Sequence, residues 1–375
     1  MLIRIKNKIS REINKLKVVY LRKFYLNKFD NFDKVIILLV PNDNEINGGV
    51  MSIASIHKEL NLLKHLHNCN IIACTNIYDS NEFFLKFDKF DNEMLVFNFK
   101  NVLKKLTNTN YLQIHIPELY LKIFTNSFKN EWSDIDKRTL RNIKNLSINI
   151  LNQNDLLMPN FEFIENLKNI LTKKITMTVA HKKYATIEKQ KQYKIPLHYL
   201  SVWLNPKPYV FKSFNDKKNY IVFSPDELER LNIEYHLSKS DLINQLKEQL
   251  PDFEIVVIQK MTYENYKKLI SESKFMITFG EGLDAYLLET ILSGGISFAI
   301  YNDVFFSEDF KNLPTIYKSV DDLFANISTD IKFYNNSTRF DQYNKQMKSI
   351  CEIEYSYEKY QNRVKNFVLE NYDFK

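Results

Sequence analysis

The sequence predicts an α/β protein of two domains, each a parallel sheet with helices on both faces. Three observations carry that expectation. Short aliphatic runs alternate with amphipathic stretches of helical period, the pattern of repeated strand–helix units. The pattern runs twice, interrupted near 205–219 by Pro206, Pro208 and a polar run. The 375 residues also hold only six glycines, where average usage gives about 26, and these fall in three close pairs at 48–49, at 280 and 282, and at 294–295. Asn, Asp, Ser and Pro make the remaining turns, so glycine is kept for places where nothing larger is expected to fit.

In chain order, residues 35–40 read as a buried strand, 52–66 as an amphipathic helix and 71–75 as the next strand. Strand candidates follow at 95–97, 112–116 and 146–151, then a helix at 161–171 and a strand at 175–180. After the Pro-punctuated stretch, the rhythm restarts with a strand at 220–223, a helix at 239–249, a strand at 254–258 and a helix at 263–273. Strand 275–279, helix 285–292 and strand 296–300 complete the second series, and 339–372 reads as helical without a breaker. The expected division is a basic amphipathic segment at 1–32, one domain at 33–212, a second at 213–335, and terminal helices at 336–375 that pack back on the first domain.

Composition removes several classes. The longest aliphatic run, 35–40, is far short of the ~20 residues a membrane-spanning helix needs. No apolar region follows the basic N-terminus as a secretory signal requires. Three cysteines make no disulfide framework, which fits a cytoplasmic protein. Aromatics at 14% argue against disorder.

The net charge of +7 is concentrated. Residues 1–34 carry ten Lys or Arg against three acids, so the rest of the chain balances to zero. A balanced body does not fit a nucleic-acid binder, which needs a basic stripe on its fold. Leu2, Ile5, Ile9, Ile13, Leu16 and Tyr20 recur at three- and four-residue steps within the basic segment. Such a stripe flanked by bases either lies on an anionic membrane surface or packs on the body with its basic face solvated. The first alternative makes the protein peripheral on the inner face of the plasma membrane.

Two glycine pairs follow core strands and precede helices, where open parallel sheets bind ligands. Gly48 and Gly49 follow the strand at 35–40, and Gly280 and Gly282 follow the strand at 275–279. Glycine there allows close approach to the backbone, and the helix N-terminus favours an anion. Glu281 sits in the second turn and Glu289 two helical turns later on nearly the same face, so both carboxylates are expected to address one ligand. Gly294 and Gly295 are placed to cap that helix.

Glu281, seven residues, then Glu289, within a Glu-Gly-Leu…Leu-Leu-Glu…Ser-Gly-Gly run after a buried strand, resembles the EX7E signature of GT-B retaining glycosyltransferases, family 4 above all. The Gly48-Gly49 turn resembles that family's first glycine loop, and the two-domain rhythm matches across most of 33–375. The resemblance implies two Rossmann-like domains facing a cleft, with a crossover helix at the C-terminus. It implies transfer of a sugar, with retention, from a nucleotide-sugar donor to a glycan or lipid-linked acceptor in bacterial cell-surface polysaccharide synthesis. No metal or other cofactor is expected. Glu289 would hold the donor ribose and Glu281 would contact the transferred sugar. The amides of Gly282, Leu283 and Asp284 would meet the pyrophosphate and sugar, and His115 would face the donor sugar from the first domain.

The sequence also departs from the family. The usual Gly-Arg after the first strand of the second domain is here Phe223-Ser224-Pro225-Asp226-Glu227, which leaves Arg230 and Lys260 as candidate phosphate partners. Asp134-Ile135-Asp136 lies in a polar, helical stretch, and the spacing of His65, His67, Cys69 and Cys74 fits no common zinc finger. A sugar-nucleotide epimerase and a non-catalytic, membrane-peripheral scaffold on the same fold are the rival readings.

Overall fold

The computed structural model describes residues 32–41, 48–87, 92–172, 174–201, 209–228, 237–279 and 281–375, together with Ile13, Leu16 and Tyr20. The chain divides into two compact units, Met1–Trp203 with Tyr360–Lys375, and Leu204–Lys359. The division falls ahead of the boundary expected from the proline stretch.

The first unit is built on eight strands: β1 (Lys34–Val40), β2 (Asn70–Thr75), β3 (Phe83–Phe87), β4 (Asn92–Phe97), β5 (Tyr111–Pro117), β6 (Asn145–Asn152), β7 (Ile175–Val179) and β8 (Leu197–Tyr199). Their order is β3-β4-β2-β1-β5-β6-β7-β8, parallel except for the antiparallel β3–β4 pair at one edge. Residues 35–40 of β1 are all buried, since helices cover both faces, and so the strand reads as one aliphatic run. Helix α1 (Gly48–Leu62) follows β1 and includes both glycines, so the pair is helical and not a loop. α2 (Leu121–Asn130), α3 (Asp134–Arg141), α4 (Phe161–Ile170) and α5 (Ile187–Tyr193) complete the layers, with short helical turns at Lys64–His67 and Phe99–Leu103.

The second unit has five parallel strands: β9 (Lys218–Phe223), β10 (Glu254–Val257), β11 (Ser273–Ile277), β12 (Ile296–Ile300) and β13 (Ile316–Tyr317), in the order β10-β9-β11-β12-β13. Its helices are α6 (Lys239–Gln249), α7 (Tyr263–Glu272), α8 (Ala285–Leu292), α9 (Val320–Tyr334) and α10 (Ser337–Tyr355). α6 is fixed by a capping box between Ser238 and Asp241. Lys217 is buried and donates to the Ser271 (2.9 Å) and Ser293 (3.1 Å) carbonyls, closing the C-terminal ends of α7 and α8 together.

The terminal helices do not behave as one element. α10 belongs to the second unit, where Asn344 Nδ2 donates to the Ile291 (3.0 Å) and Gly295 (2.7 Å) carbonyls. Only α11 (Tyr357–Val368) and the tail run into the first unit. There Ser55 Oγ donates to Tyr360 Oη at 2.7 Å, and Leu197 and Phe374 form an antiparallel bridge.

Residues 1–31 lie outside the described residues, apart from Ile13, Leu16 and Tyr20. Those three are helical and exposed, at 57%, 70% and 68%. Among the described residues, no helix is long and apolar enough to cross a membrane.

Candidate functional site

The second unit's sheet reverses its winding between β9 and β11, because the chain places β10 on one side of β9 and then crosses to β11 on the other. Loops that leave the carboxyl ends of such a strand pair diverge and open a crevice. Here the two loops are joined at their base: Ser224 N donates to the Ile277 carbonyl (3.0 Å), and Phe279 N donates to Ser224 Oγ (3.3 Å).

The turn that follows β11 enters α8 through Asp284. Its carboxylate accepts from Leu287 N at 2.9 Å and from Thr278 Oγ1 at 2.7 Å, so the cap is held from both sides. Gly282 adopts φ +75°, and a Cβ there would lie 2.5 Å from Phe306 Cε2 and 3.0 Å from the Ile300 carbonyl oxygen. Glycine is required twice over, by backbone conformation and by space. The Gly282 amide is directed at the Phe279 carbonyl (3.4 Å), which takes it from the set expected to meet a ligand. Leu283 is buried, and Gly280 lies outside the described residues.

The helix closes as the sequence suggests. Gly294, at φ +90°, donates to the Ile291 carbonyl (3.0 Å), and Gly295 donates to the Thr290 carbonyl (2.9 Å), the two bonds of a Schellman cap. Gly48 differs, since nothing lies within 4 Å of a Cβ built on it. The expectation that glycine survives only where space forbids a side chain fails at that position.

The two glutamates are not on one open surface. Glu281 is exposed in the turn, whereas Glu289 is 0% exposed. α8 is buried from Leu287 through Leu292 because it packs between the sheet and α10, so spacing alone could not reveal which face was inside. Glu289 lies near two phenols: its charge adds to burial in pushing the Tyr266 and Tyr286 hydroxyls up, and the two rings meet edge-on at 5.7 Å.

Of the two candidate bases, Arg230 lies outside the described residues, and Lys260 is exposed in the loop after β10. A third base, Lys239, was not anticipated. It opens α6 with a buried side chain, and its Nζ donates to the Ser224 (2.7 Å) and Asp226 (3.1 Å) carbonyls, 3.7 Å from Glu227. Burial lowers its pKa. A signal was available: a cation in the first turn of a helix opposes the helix dipole, which points to a partner outside the helix.

In the first unit, the carboxyl ends of β1, β5, β6 and β7 gather Gly49, Glu118, Gln153 and His181. Glu118 is buried, and its carboxylate accepts from Gln153 N (3.2 Å) and Asn154 N (2.9 Å). Gln153 Nε2 donates to the Gly49 carbonyl at 3.3 Å. Glu118 went unnoticed in the sequence, although a carboxylate directly after a strand ending in Pro117 is a visible strand-end signal.

His115 does not face open space. It is 1% exposed within β5, donates from Nε2 to Gln113 Oε1 (3.0 Å), accepts at Nδ1 from Asn149 (3.4 Å), and lies edge-on to Phe367 of α11 at 5.4 Å. Burial pushes its pKa down to about 3, so it is a neutral packed histidine. The sequence could not reveal this, because the residue that covers it arrives from the far end of the chain. Asp136 is likewise occupied, as partner of Ser133 Oγ and Tyr78 Oη. His67 Nδ1 accepts from Cys69 N at 2.9 Å. Among the described residues, no three His, Cys, Asp or Glu side chains are placed to hold a metal ion.

The buried histidines of the first unit and Asp284 of the second titrate with opposite signs. Each is opposed in part within its own unit, the histidines by Glu118, which burial raises, and Asp284 by Lys217, which burial lowers to about 7. Burial lowers His57 and His181 to about 4, as it lowers His115, so the unfolded chain gains protons below pH ~6.5 that these residues refuse. The first unit therefore loses stability as pH falls from 6.5, at up to ~1.4 kcal/mol per histidine per pH unit. Asp284 has the opposite sign. Burial, helped by Asp226 and Glu281, raises it to about 7, so the second unit loses stability as pH rises from 3.8 toward 7. Hydrogen exchange corrected for intrinsic rates should show β5–β7 less protected at pH 5 than at 7.5, and β11–α8 more protected. The reverse order would contradict these assignments.

No protein-family model matches the sequence, and no curated protein matches it. Solved structures do share its fold. Sucrose-phosphate synthase from Thermosynechococcus elongatus superposes with a TM-score of 0.51 at 8% identity, over 90% of this chain and 99% of that one. The apo structure of OtsA gives a TM-score of 0.50 at 9% identity, over 90% of this chain and 98% of that one. Likeness at such identity concerns fold alone. Together with the two doubly wound sheets, parallel but for the edge strand β3, it identifies the architecture as GT-B, two Rossmann-like α/β units in one chain.

Proposed function

We propose that the chain is a retaining, metal-independent glycosyltransferase of the EX7E type. It would move a sugar from a nucleotide-sugar donor to a glycan or lipid-linked acceptor in bacterial cell-surface polysaccharide synthesis. The observation that carries the reading is the topological switch point between β9 and β11, followed by a glycine-dependent turn and the N-terminus of α8. In this reading the donor diphosphate lies over the first turn of α8, where backbone amides and the helix dipole favour negative charge. Exposed Glu281 accepts hydroxyl hydrogen bonds from the transferred sugar. Lys239, and the bases Arg230 and Lys260, supply the positive charge that the missing Gly-Arg pair would give, and Glu289 takes the ribose hydroxyls. Stabilisation of the departing diphosphate would come from these fixed donors, arranged before the reaction begins. His115 has no part in this site. Residues 1–34 would hold the protein at the anionic inner face of the plasma membrane.

The test is calorimetric titration with UDP-, GDP- and dTDP-sugars, with and without EDTA, followed by acceptor screening. One donor class is expected to bind and to raise the unfolding temperature, since ligand at 100 times Kd adds about 2.7 kcal/mol. Its affinity should be unchanged by EDTA. Binding to none of the three refutes the donor assignment, and binding without transfer to any acceptor favours the scaffold reading.

A further inference from the structure

The described part of the first unit exposes an apolar patch that the proposed chemistry does not use. It lies at the carboxyl ends of three adjacent strands. Leu119 (51% exposed) and Ile123 (48%) follow β5, Leu156 (71%) and Leu157 (45%) follow β6, and Ile187 (40%) follows β7. These loops are tied into one surface. The Glu118 carboxylate takes the Gln153 and Asn154 amides, which binds the loop after β5 to the loop after β6. Lys189 Nζ meets Asp155 Oδ1 at 2.5 Å, which binds that second loop to α5. The aliphatic side chains are thus held outward by neighbours locked in place, and do not hang from loose connections.

Soluble surfaces scatter exposed aliphatics singly, whereas a grouped patch edged by charge marks an interaction site. The charge here is basic on balance: Lys122, Lys182 and Lys183 are exposed on these loops and the first turns that follow them, against two exposed acids, Glu162 and Glu188. Aliphatic side chains ringed by lysines match a bilayer surface, where the chains enter the acyl boundary and the ammonium groups meet anionic headgroups. The exposed helical residues Ile13, Leu16 and Tyr20 belong to the same unit and to a segment of the same charge.

We propose that this rim, formed by the loops after β5, β6 and β7, docks the first unit on an anionic lipid bilayer. The docking is a contact of the folded body, additional to any made by residues 1–34. It does not depend on the transferase reading, and vesicle binding is measured without donor or acceptor, so either can fail alone.

The experiment is sedimentation of the full chain with vesicles of phosphatidylcholine alone or with 30% phosphatidylglycerol. The parent is expected to bind the anionic vesicles, and to bind them less as salt rises. Leu156→Ser with Leu157→Ser should weaken that binding about tenfold, and Lys182→Glu with Lys183→Glu should do so at low salt. Both pairs should act equally in a chain carrying Ile13→Ser and Leu16→Ser, which disables the N-terminal stripe. Circular dichroism and melting checks that the variants stay folded; all four positions are exposed. Parent-like binding by both pairs overturns the proposal, as does equal binding to neutral vesicles. Concentration-dependent dimerisation abolished by the leucine pair, without vesicle binding, would assign the rim to a second copy of this chain and overturn it too.

Discussion

Replacing Glu289 with Gln should weaken nucleotide-sugar binding by ten- to a hundredfold while leaving the ligand-free protein folded. A hydrogen bond to a charged group contributes about 1.5–3 kcal/mol, and each 1.4 kcal/mol is tenfold in affinity. Glutamine keeps the shape of the side chain, so packing near Tyr266 and Tyr286 is preserved and only the charge is lost. The prediction is demanding because Glu289 is 0% exposed. A ribose reaches that carboxylate only when the side chains over it move aside, so binding should show an ordering cost as well as a contact. Calorimetric Kd values for the parent and Glu289→Gln decide the matter. Equal affinities would remove Glu289 from the donor site and leave it as an interior carboxylate of the second unit. Glu281→Gln serves as the comparison, because Glu281 is exposed and no uncovering is involved.

Gly282→Ala should destabilise the second unit by about 2–4 kcal/mol, the sum of a left-handed backbone forced on alanine and overpacking against neighbours that cannot yield. The new methyl would sit 2.5 Å from the Phe306 ring and 3.0 Å from the Ile300 carbonyl, at φ +75°. Phe306 is 1% exposed and packs on Tyr301 and Phe310, so the ring has nowhere to retreat. Relief must come from the turn itself, which displaces Leu283 and the Asp284 cap and should lower donor affinity together with stability. Urea denaturation and donor titration measure the two effects. Gly48→Ala is the contrasting case. Open space surrounds that position in α1, so alanine should be neutral or stabilise by up to ~1 kcal/mol. Equal effects at the two glycines would refute the distinction between them.

Much of the fold was legible because buried parallel strands are written as aliphatic runs. Residues 35–40 can be read this way without reference to anything distant, whereas 146–151 and 296–300 are largely apolar strands that also bury Ser147, Asn149 and Ser297. The elements that escaped have local reasons. β8 is three residues after Pro196, and β13 is two, both too short for any period to show. The edge strand β3 pairs antiparallel with β4 and stands outside the parallel rhythm. The turn before α8 was legible for a different reason, since a left-handed residue and a Schellman cap are backbone demands that only glycine meets cheaply.

The candidate site was only half legible. Sequence alone determined the main alternation of strands and helices, without β3, β8, β13 or the helices α2, α5 and α9. It also determined the glycine-dependent turn after β11 and the place where its helix ends, because these follow from residues close together in the chain. Tertiary structure alone decided that Glu281 is outside and Glu289 inside, that Lys239 closes the loop after β9, and that His115 is a neutral residue beneath Phe367. Exposure and protonation depend on what covers a side chain, and the covering groups come from distant parts of the sequence: α10 against α8, α11 against β5. Periodicity shows that a residue shares a face with its neighbours, but burial of that face is settled by the elements packed against it.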